Sequence, residues 1–530
     1  METFLVVSAV VCILCIFANN LSYKIGVPAL LLFILLGMMF GTDGIFRINF
    51  SDYQLSETIC TTALIFIIFY GGFCTNWKEA RPVAKKAILL STIGVILTAV
   101  LTGFFCMFVL KTSFLQGMLI GSVLGSTDAA SVFSILRAKK LNLVDGTASI
   151  LEVESGSNDP IAYMMTTVIL SIMAGFASPS NVLLSFLSQL FFGLLFGVIA
   201  GYAGRYFFSI KHFRSREMLP ILAMAIALFT YGASSIVGGN GFLSVYIAGI
   251  LLGNSKINNK IELVRFFDGI TGMMQIVLFF LLGLLCFPTK IIPVIIPSVC
   301  IMAFMLFIAR PAAVFLILHP FKVPFKQQLL ISWAGLRGAA SIVFAIMTVL
   351  SPSGINLDIF HIVFCVCLLS VALQGTFLPF VALKLNMIGQ TENIFKTFND
   401  YSEDPAVHLT KIHLPEDHPW VNQSLKEIII PDGMMAVMII RDKKTLIPGG
   451  DTTLQSGDTI ILNGTEYTDK TSLKLREVQI GPYHPWKKKQ VNELTLPKDT
   501  LIFLIQRKGT SLIPDGQTTL EDGDCLILNA

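Results

Sequence analysis

The chain has 530 residues, 54% of them hydrophobic and 14% charged, with a mean hydropathy of +0.74. Those values exclude an ordinary soluble globular protein, and a net charge of +4 gives no reason to expect a nucleic-acid partner. The averages hide a division: residues 1–390 are apolar runs separated by short polar breaks, whereas 391–530 read as a soluble domain.

The first apolar stretch, 3–21, has almost no positive region ahead of it and no small-residue cleavage site. It is expected to be a retained spanning helix and not a signal peptide. Cys12 and Cys15 form a CxxC inside it, but no second pair or histidine lies nearby. Helix packing is the expected role, with no disulfide framework and no metal or redox centre. A spanning helix needs roughly 20 apolar residues. Segmenting at polar breaks gives thirteen: 3–21, 27–45, 57–74, 86–110, 114–137, 147–175, 182–207, 217–235, 240–254, 266–287, 291–318, 327–350 and 358–384.

With the N-terminus outside, the cytoplasmic loops hold seventeen Lys and Arg, from Lys24 to Lys326. The opposite loops hold three, Arg47, Lys111 and Lys290. This asymmetry obeys the positive-inside rule, and an odd number of spans then places the C-terminal domain in the cytoplasm.

Ionisable residues inside these spans cost at least about 2.5–3.5 kcal/mol each and are functional candidates by default. The fifth span carries Thr127-Asp128 near its middle, the sixth Glu152-Val-Glu154-Ser155-Gly-Ser-Asn158-Asp159, the eleventh Arg310 and the twelfth Arg337. Glu154 and Asn158 share one helical face, and so do Ser155 and Asp159. The second pairing joins a carboxylate to a hydroxyl, which suits a dehydrated cation that needs hard oxygen ligands. Glu154 and Arg337 are the expected structural ion pair. The buried cations are too few to neutralise Asp128 and Asp159 as well. Glu152 lies nearer the cytoplasmic end, where solvent can hold it, and Arg310 is left open. Glycines flank the polar residue in both the fifth and the twelfth spans, and both then run into Ala-Ala-Ser. That pattern fits two corresponding helices broken at mid-membrane within antiparallel repeats, helices 4–6 and 11–13.

At these residues the sequence resembles the cation/proton antiporter superfamily, in its NhaP-like, Asn-Asp branch. The matching elements are Ser126-Thr127-Asp128, Glu154-Ser155-x-x-Asn158-Asp159 and Gly335-Leu336-Arg337-Gly338-Ala339-Ala340, within residues 1–385. One departure stands out: the family's common form has a bulkier residue than Gly156 after the serine, so packing near Ser155 is expected to differ. The resemblance implies that Asp159 is the principal ion- and proton-carrying carboxylate. It implies that Asp128, Thr127 and Ser155 help to coordinate the ion, while Glu154 and Arg337 brace Asn158. It also implies a homodimer whose six-helix core moves against a scaffold. The Asn in place of a second Asp implies electroneutral, one-for-one exchange. Burial disfavours a bare charge, so a proton and a cation compete for the same oxygens, and only a neutralised site crosses the apolar barrier.

The C-terminal portion repeats itself at an offset of 66 residues. His418-Pro-Trp420 recurs as His484-Pro-Trp486, Arg441 as Arg507, Leu446-Ile-Pro448 as Leu512-Ile-Pro514 and Gly457-Asp458 as Gly523-Asp524. Short β-branched runs between Pro and Gly turns predict mostly short strands in two copies, 391–470 and 471–530. His-Pro-Trp is expected to be a turn ahead of a strand. The whole is expected to be an all-α polytopic membrane domain followed by a small α+β cytoplasmic domain of tandem repeats.

The copies resemble the C-terminal subdomain of regulators of potassium conductance, the RCK-C or TrkA-C type, without a nucleotide-binding half before it. That resemblance tilts cation choice towards potassium and implies a regulatory effector, with cyclic di-AMP a candidate. A sodium-selective exchanger of the same fold is the alternative. A potassium channel is the rival from another class, but the chain has no Thr-Val-Gly-Tyr-Gly filter. It also has no Walker-type loop for a primary pump, and no enzymatic activity or cofactor is expected.

Overall fold

The computed structural model describes residues 2–25, 27–139, 141, 143–175, 181–209, 218–255, 257, 260–351, 357–389, 408–416, 418–428, 430, 435–441, 444–464, 475–480, 484–494, 502–507, 510–512 and 514–529. The chain divides into two compact units, Met1–Ser402 and Glu403–Ala530. The expected boundaries at 390 and 470 fall in 390–407 and 465–474, outside the described residues.

The first unit is helical. Its helices are α1 (Glu2–Ile25), α2 (Ala29–Phe40), α3 (Tyr53–Cys74), α4 (Ala84–Leu110), α5 (Phe114–Val123), α6 (Ala129–Ala138), α7 (Thr147–Met173) and α8 (Val182–Ser209). There follow α9 (Leu219–Ile236), α10 (Gly241–Gly253), α11 (Lys260–Leu284), α12 (Pro288–Phe321), α13 (Phe325–Trp333), α14 (Ala339–Leu350) and α15 (Ile359–Lys384). Among the described residues, eight are long and apolar enough to cross a membrane by length and composition: α1, α3, α4, α8, α9, α11, α12 and α15. Each of the thirteen expected segments overlaps one helix or, at 114–137 and 327–350, a pair of them.

Local chemistry sets several of the helix ends. Asp52 accepts from Leu55 N–H to cap α3, Ser113 and Gln116 form a capping box on α5, and Asn240 caps α10 through Leu243 N–H. Wide π turns interrupt α4 at Leu90–Gly94, α12 at Met305–Ala309 and α15 at Ser370–Gly375. The two full interruptions fall where glycine and polar residues displace apolar ones, at 124–128 and 334–338. They cross, and Asp128 N–H donates to the carbonyl of Leu336 at 2.8 Å. Backbone that leaves a helix inside a membrane must find such partners within the protein.

The second unit holds two four-stranded antiparallel sheets. In the first, β1 (His408–His413), β2 (Met435–Arg441), β3 (Lys444–Leu446) and β4 (Thr459–Gly464) run in the order β1-β4-β2-β3. In the second, β5 (Leu475–Gln479), β6 (Ile502–Arg507), β7 (Thr510–Leu512) and β8 (Cys525–Asn529) run in the order β5-β8-β6-β7. Register shifts fall at Ala436/Met438 and Ile502/Leu504. Leu414, Ile439, Leu454 and Ile460 fill one core, and Ile480, Ile505, Leu520 and Leu526 fill the other. The His-Pro-Trp segments are turns: the N–H groups of Trp420 and Trp486 donate to Nδ1 of His418 and His484, each at 3.2 Å.

Candidate functional site

The crossing is held by side chains from four helices and the two breaks. Asp128 ends the first break and caps α6, accepting from Ser131 N–H (3.3 Å) and Ser131 Oγ (2.5 Å). Gly338 ends the second break directly beneath it. A Cβ at Gly338 would lie 2.4 Å from Asp128 Cβ and 2.7 Å from its Oδ2. Arg337 is 3% exposed, and its Nη1 donates to the carbonyls of Gly125 (2.9 Å) and Ser126 (2.8 Å). Those carbonyls follow the C-terminal end of α5, where the helix dipole is negative, and so stabilise the guanidinium.

The face of α7 expected from spacing meets this crossing. Asp159 accepts a hydrogen bond from Ser126 Oγ. Ser155 Oγ donates to the carbonyl of Thr127 at 2.9 Å. Asn158 Nδ2 donates to the same carbonyl at 3.2 Å and to Thr127 Oγ1. Asp128, Asp159, Thr127, Ser155, Ser126 and Glu152 all line one cavity of about 330 Å³. Three carboxylates, hydroxyls and a polarised backbone supply hard oxygen ligands around this cavity, a donor set for a dehydrated alkali cation or a proton.

One expected pairing is overturned. Glu154 pairs with Arg310 and not with Arg337: Oε1 lies 2.6 Å from Arg310 Nη2, at 1% and 3% exposure. Two features explain the choice. Gly335 leaves room for the Arg310 stem, since a Cβ there would sit 2.8 Å from Arg310 Nε. Arg337 is already engaged by the carbonyls that follow α5. Asn158 is accordingly braced by Thr127 and not by the Glu154 pair.

Sequence reasoning missed the opposite wall. Asp268, Thr271, Gly272 and Gln275 of α11 line the same cavity, and Asp268 accepts from Tyr70 Oη of α3 at 2.5 Å. Their spacing of three, four and seven is a helical stripe, and that polar periodicity in an apolar span was the available signal. Ser126, the hydroxyl actually bonded to Asp159, was part of the motif but had no assigned role.

The sodium/hydrogen exchanger transmembrane family model matches residues 6–384, and the TrkA-C domain model matches 409–466 and 475–528. The chain is 33% identical over 464 residues to the K(+)/H(+) antiporter NhaP of Alkalimonas amylolytica, covering 86% of this chain and 80% of that protein. It is 32% identical over 471 residues to the K(+)/H(+) antiporter NhaP2 of Shewanella sp. (strain ANA-3), covering 88% and 82%. The solved structure of the sodium proton antiporter MjNhaP1 from Methanocaldococcus jannaschii superposes with a TM-score of 0.65 at 25% identity, covering 73% of this chain and 99% of that one.

Proposed function

The chain belongs to the sodium/hydrogen exchanger family, and from that premise we propose that it is a multi-pass secondary antiporter exchanging K+ for H+. The observation that carries this reading is Asp159, hydrogen-bonded by Ser126, facing the same cavity as Asp128 beside two crossed helix breaks. In this mechanism Asp159 binds either a proton or the cation. Asp128, Ser155 and the carbonyl of Thr127 complete the oxygen set when the cation is present. Asn158 is spent on holding Thr127 and carries no charge, so one carboxylate titrates at that pair and exchange is one-for-one. Arg337 holds the crossing together through the backbone carbonyls of Gly125 and Ser126.

The finer architecture belongs to the same proposal. Thirteen spans put the N-terminus outside and the sheet domain in the cytoplasm. The fourth to sixth spans (α4–α7) and the eleventh to thirteenth (α12–α15) are inverted repeats, and two chains form a homodimer. The sheet unit, 391–530, is a tandem RCK-C-like regulator whose effector class is a cyclic dinucleotide such as cyclic di-AMP. The potassium preference is supported by the names of the two relatives. The sodium alternative is favoured by the MjNhaP1 likeness.

Proteoliposomes carrying a pH gradient test both readings when potassium, sodium, rubidium and lithium are added in turn. Potassium is expected to dissipate the gradient most strongly, with a response that Asp159→Asn abolishes while the protein still inserts. Wild-type-like exchange by that variant would sink the assignment, and a response to sodium alone would replace the cargo.

A further inference from the structure

The position where this chain departs from its family's common form, Gly156, lies between Ser155 and Asp159 on α7 and lines the cavity. It is filled from outside. A Cβ built there would lie 2.8 Å from both Cε2 and Oη of Tyr246 on α10 and 3.0 Å from its Cζ. Separations that short do not persist, so the aromatic ring occupies the place of the missing side chain.

That ring has little freedom to give way. Tyr246 is 3% exposed, and the same edge of its ring, nearer the backbone, faces Gly72 of α3, where a Cβ would sit 3.2 Å from Cδ2. Its own helix, α10, is pressed backbone to backbone against α3. A Cβ at Gly249 would lie 2.5 Å from the carbonyl oxygen of Phe69, and one at Gly253 would lie 1.9 Å from that of Phe73. Close-packed interiors transmit such contacts and do not absorb them.

The helix on the receiving side needs the support. Pro160 has no N–H, so the carbonyl of Gly156 lacks its usual partner four residues on. Further along, Asn240 Nδ2 at the start of α10 donates to the carbonyl of Pro160 at 2.7 Å. Helix α10 therefore touches α7 on both sides of Asp159, once by a hydrogen bond and once by the ring.

We propose that Tyr246 is a positioning residue: a fixed stop, seated in the slot left by Gly156, that sets how deeply Ser155 and Asp159 of α7 enter the cavity. The proposal rests on the antiport reading above. Misplacing a reacting group by about 1 Å can cost on the order of 100-fold, so the stop acts on cation binding and turnover without touching the cation.

The test uses full-length protein in proteoliposomes with potassium as the probe. Gly156→Ala is expected to slow exchange about tenfold or more, because the added methyl drives α7 off the ring. Adding Tyr246→Leu to that variant is expected to bring the rate back to within about threefold of wild type, whereas adding Tyr246→Phe, which keeps the ring, is not. Tyr246→Leu alone is expected to raise the KM for potassium by about threefold or more, since α7 has lost its stop. A merely structural role would lower the stability of these variants while leaving the KM for potassium of Tyr246→Leu unchanged. The proposal is overturned by a wild-type rate in Gly156→Ala, by equal rescue from Leu and Phe, or by an unchanged KM in Tyr246→Leu. If Gly156→Ala does not insert, the KM of Tyr246→Leu decides alone. Asp159→Asn run alongside reports on antiport itself, so an idle stop and a wrong function give different results.

Discussion

At the scale of single residues, the buried charges separate into cargo ligands and braces, and the braces are the more readily tested. Removing one member of a buried ion pair leaves an uncompensated charge, at a cost of roughly 3–5 kcal/mol. Arg310→Gln is therefore expected to lower the thermal stability of the purified protein sharply, and adding Glu154→Gln to recover much of it. Because Arg337 meets backbone carbonyls and, among the described residues, no carboxylate, Glu154→Gln is expected to give Arg337→Gln no such relief. Melting curves of the four variants in one detergent check this, and equal recovery in both backgrounds would restore the original pairing. Asp128, Asp159, Glu154 and Arg337 were legible as special because each is a charge in an apolar run. The partner of Glu154 was not legible, since spacing within a helix fixes faces but not which helices become neighbours. Asp268 escaped for a different reason. The span was expected to begin at 266, which places Asp268 at its end, whereas α11 begins at Lys260 and carries Asp268 about 12 Å in from its start.

At the scale of elements, both interruptions were legible from glycines flanking a polar residue, and both lie where expected. Their crossing was not, because it is a contact between segments about two hundred residues apart. The three π turns were equally invisible: nothing in Leu90–Gly94, Met305–Ala309 or Ser370–Gly375 breaks helical periodicity. Two of them flank the buried cations. Met305–Ala309 runs directly into Arg310, and Ser370 opens the third and accepts from Arg337 N–H at 3.0 Å. At the crossing, Gly338→Ala is expected to remove exchange even though alanine readily adopts this backbone, with φ −127°. The added methyl occupies the space of the Asp128 side chain. Transport assays on Gly338→Ala check this, and a rate within about threefold of wild type would mean that the breaks relax more easily than close packing allows.

At the scale of the whole molecule, the repeat at 66 residues was legible from its motifs, and its core positions correspond, with Ile439 and Leu454 recurring as Ile505 and Leu520 while Leu414 and Ile460 become Ile480 and Leu526. Arg441 and Asp458 form one charged pair (2.7 Å), and Arg507 and Asp524 form its counterpart (2.8 Å). The Arg441 side chain is the main cause holding the Asp458 carboxyl below the ordinary carboxylate range, with the Gln455 N–H assisting. A carboxyl depressed in the folded state contributes its stability above the unfolded value of about 3.9 and loses it as pH falls through the folded value. Protection factors of β4 amides in the full-length protein, corrected for intrinsic exchange at each pH, are therefore expected to be unaffected by this pair between about pH 5 and 8 and to fall below about pH 4. Arg441→Gln is expected to destabilise the first sheet by roughly 3 kcal/mol at neutral pH. Protection of β4 that survives in that variant would show the pair to be dispensable.

The crossing has one more consequence, for symmetry. The two break segments end alike, Asp128-Ala-Ala-Ser and Gly338-Ala-Ala-Ser, and they meet at their first residues. With 2.4 Å between the Asp128 Cβ and where a second Cβ would stand, that junction is a single berth for one side chain. A chain whose two halves were chemical twins at this point could not close. Whichever half keeps the acid, the other must give up its side chain altogether, so the architecture itself forces a division of labour between an arm that carries charge and an arm that makes way for it.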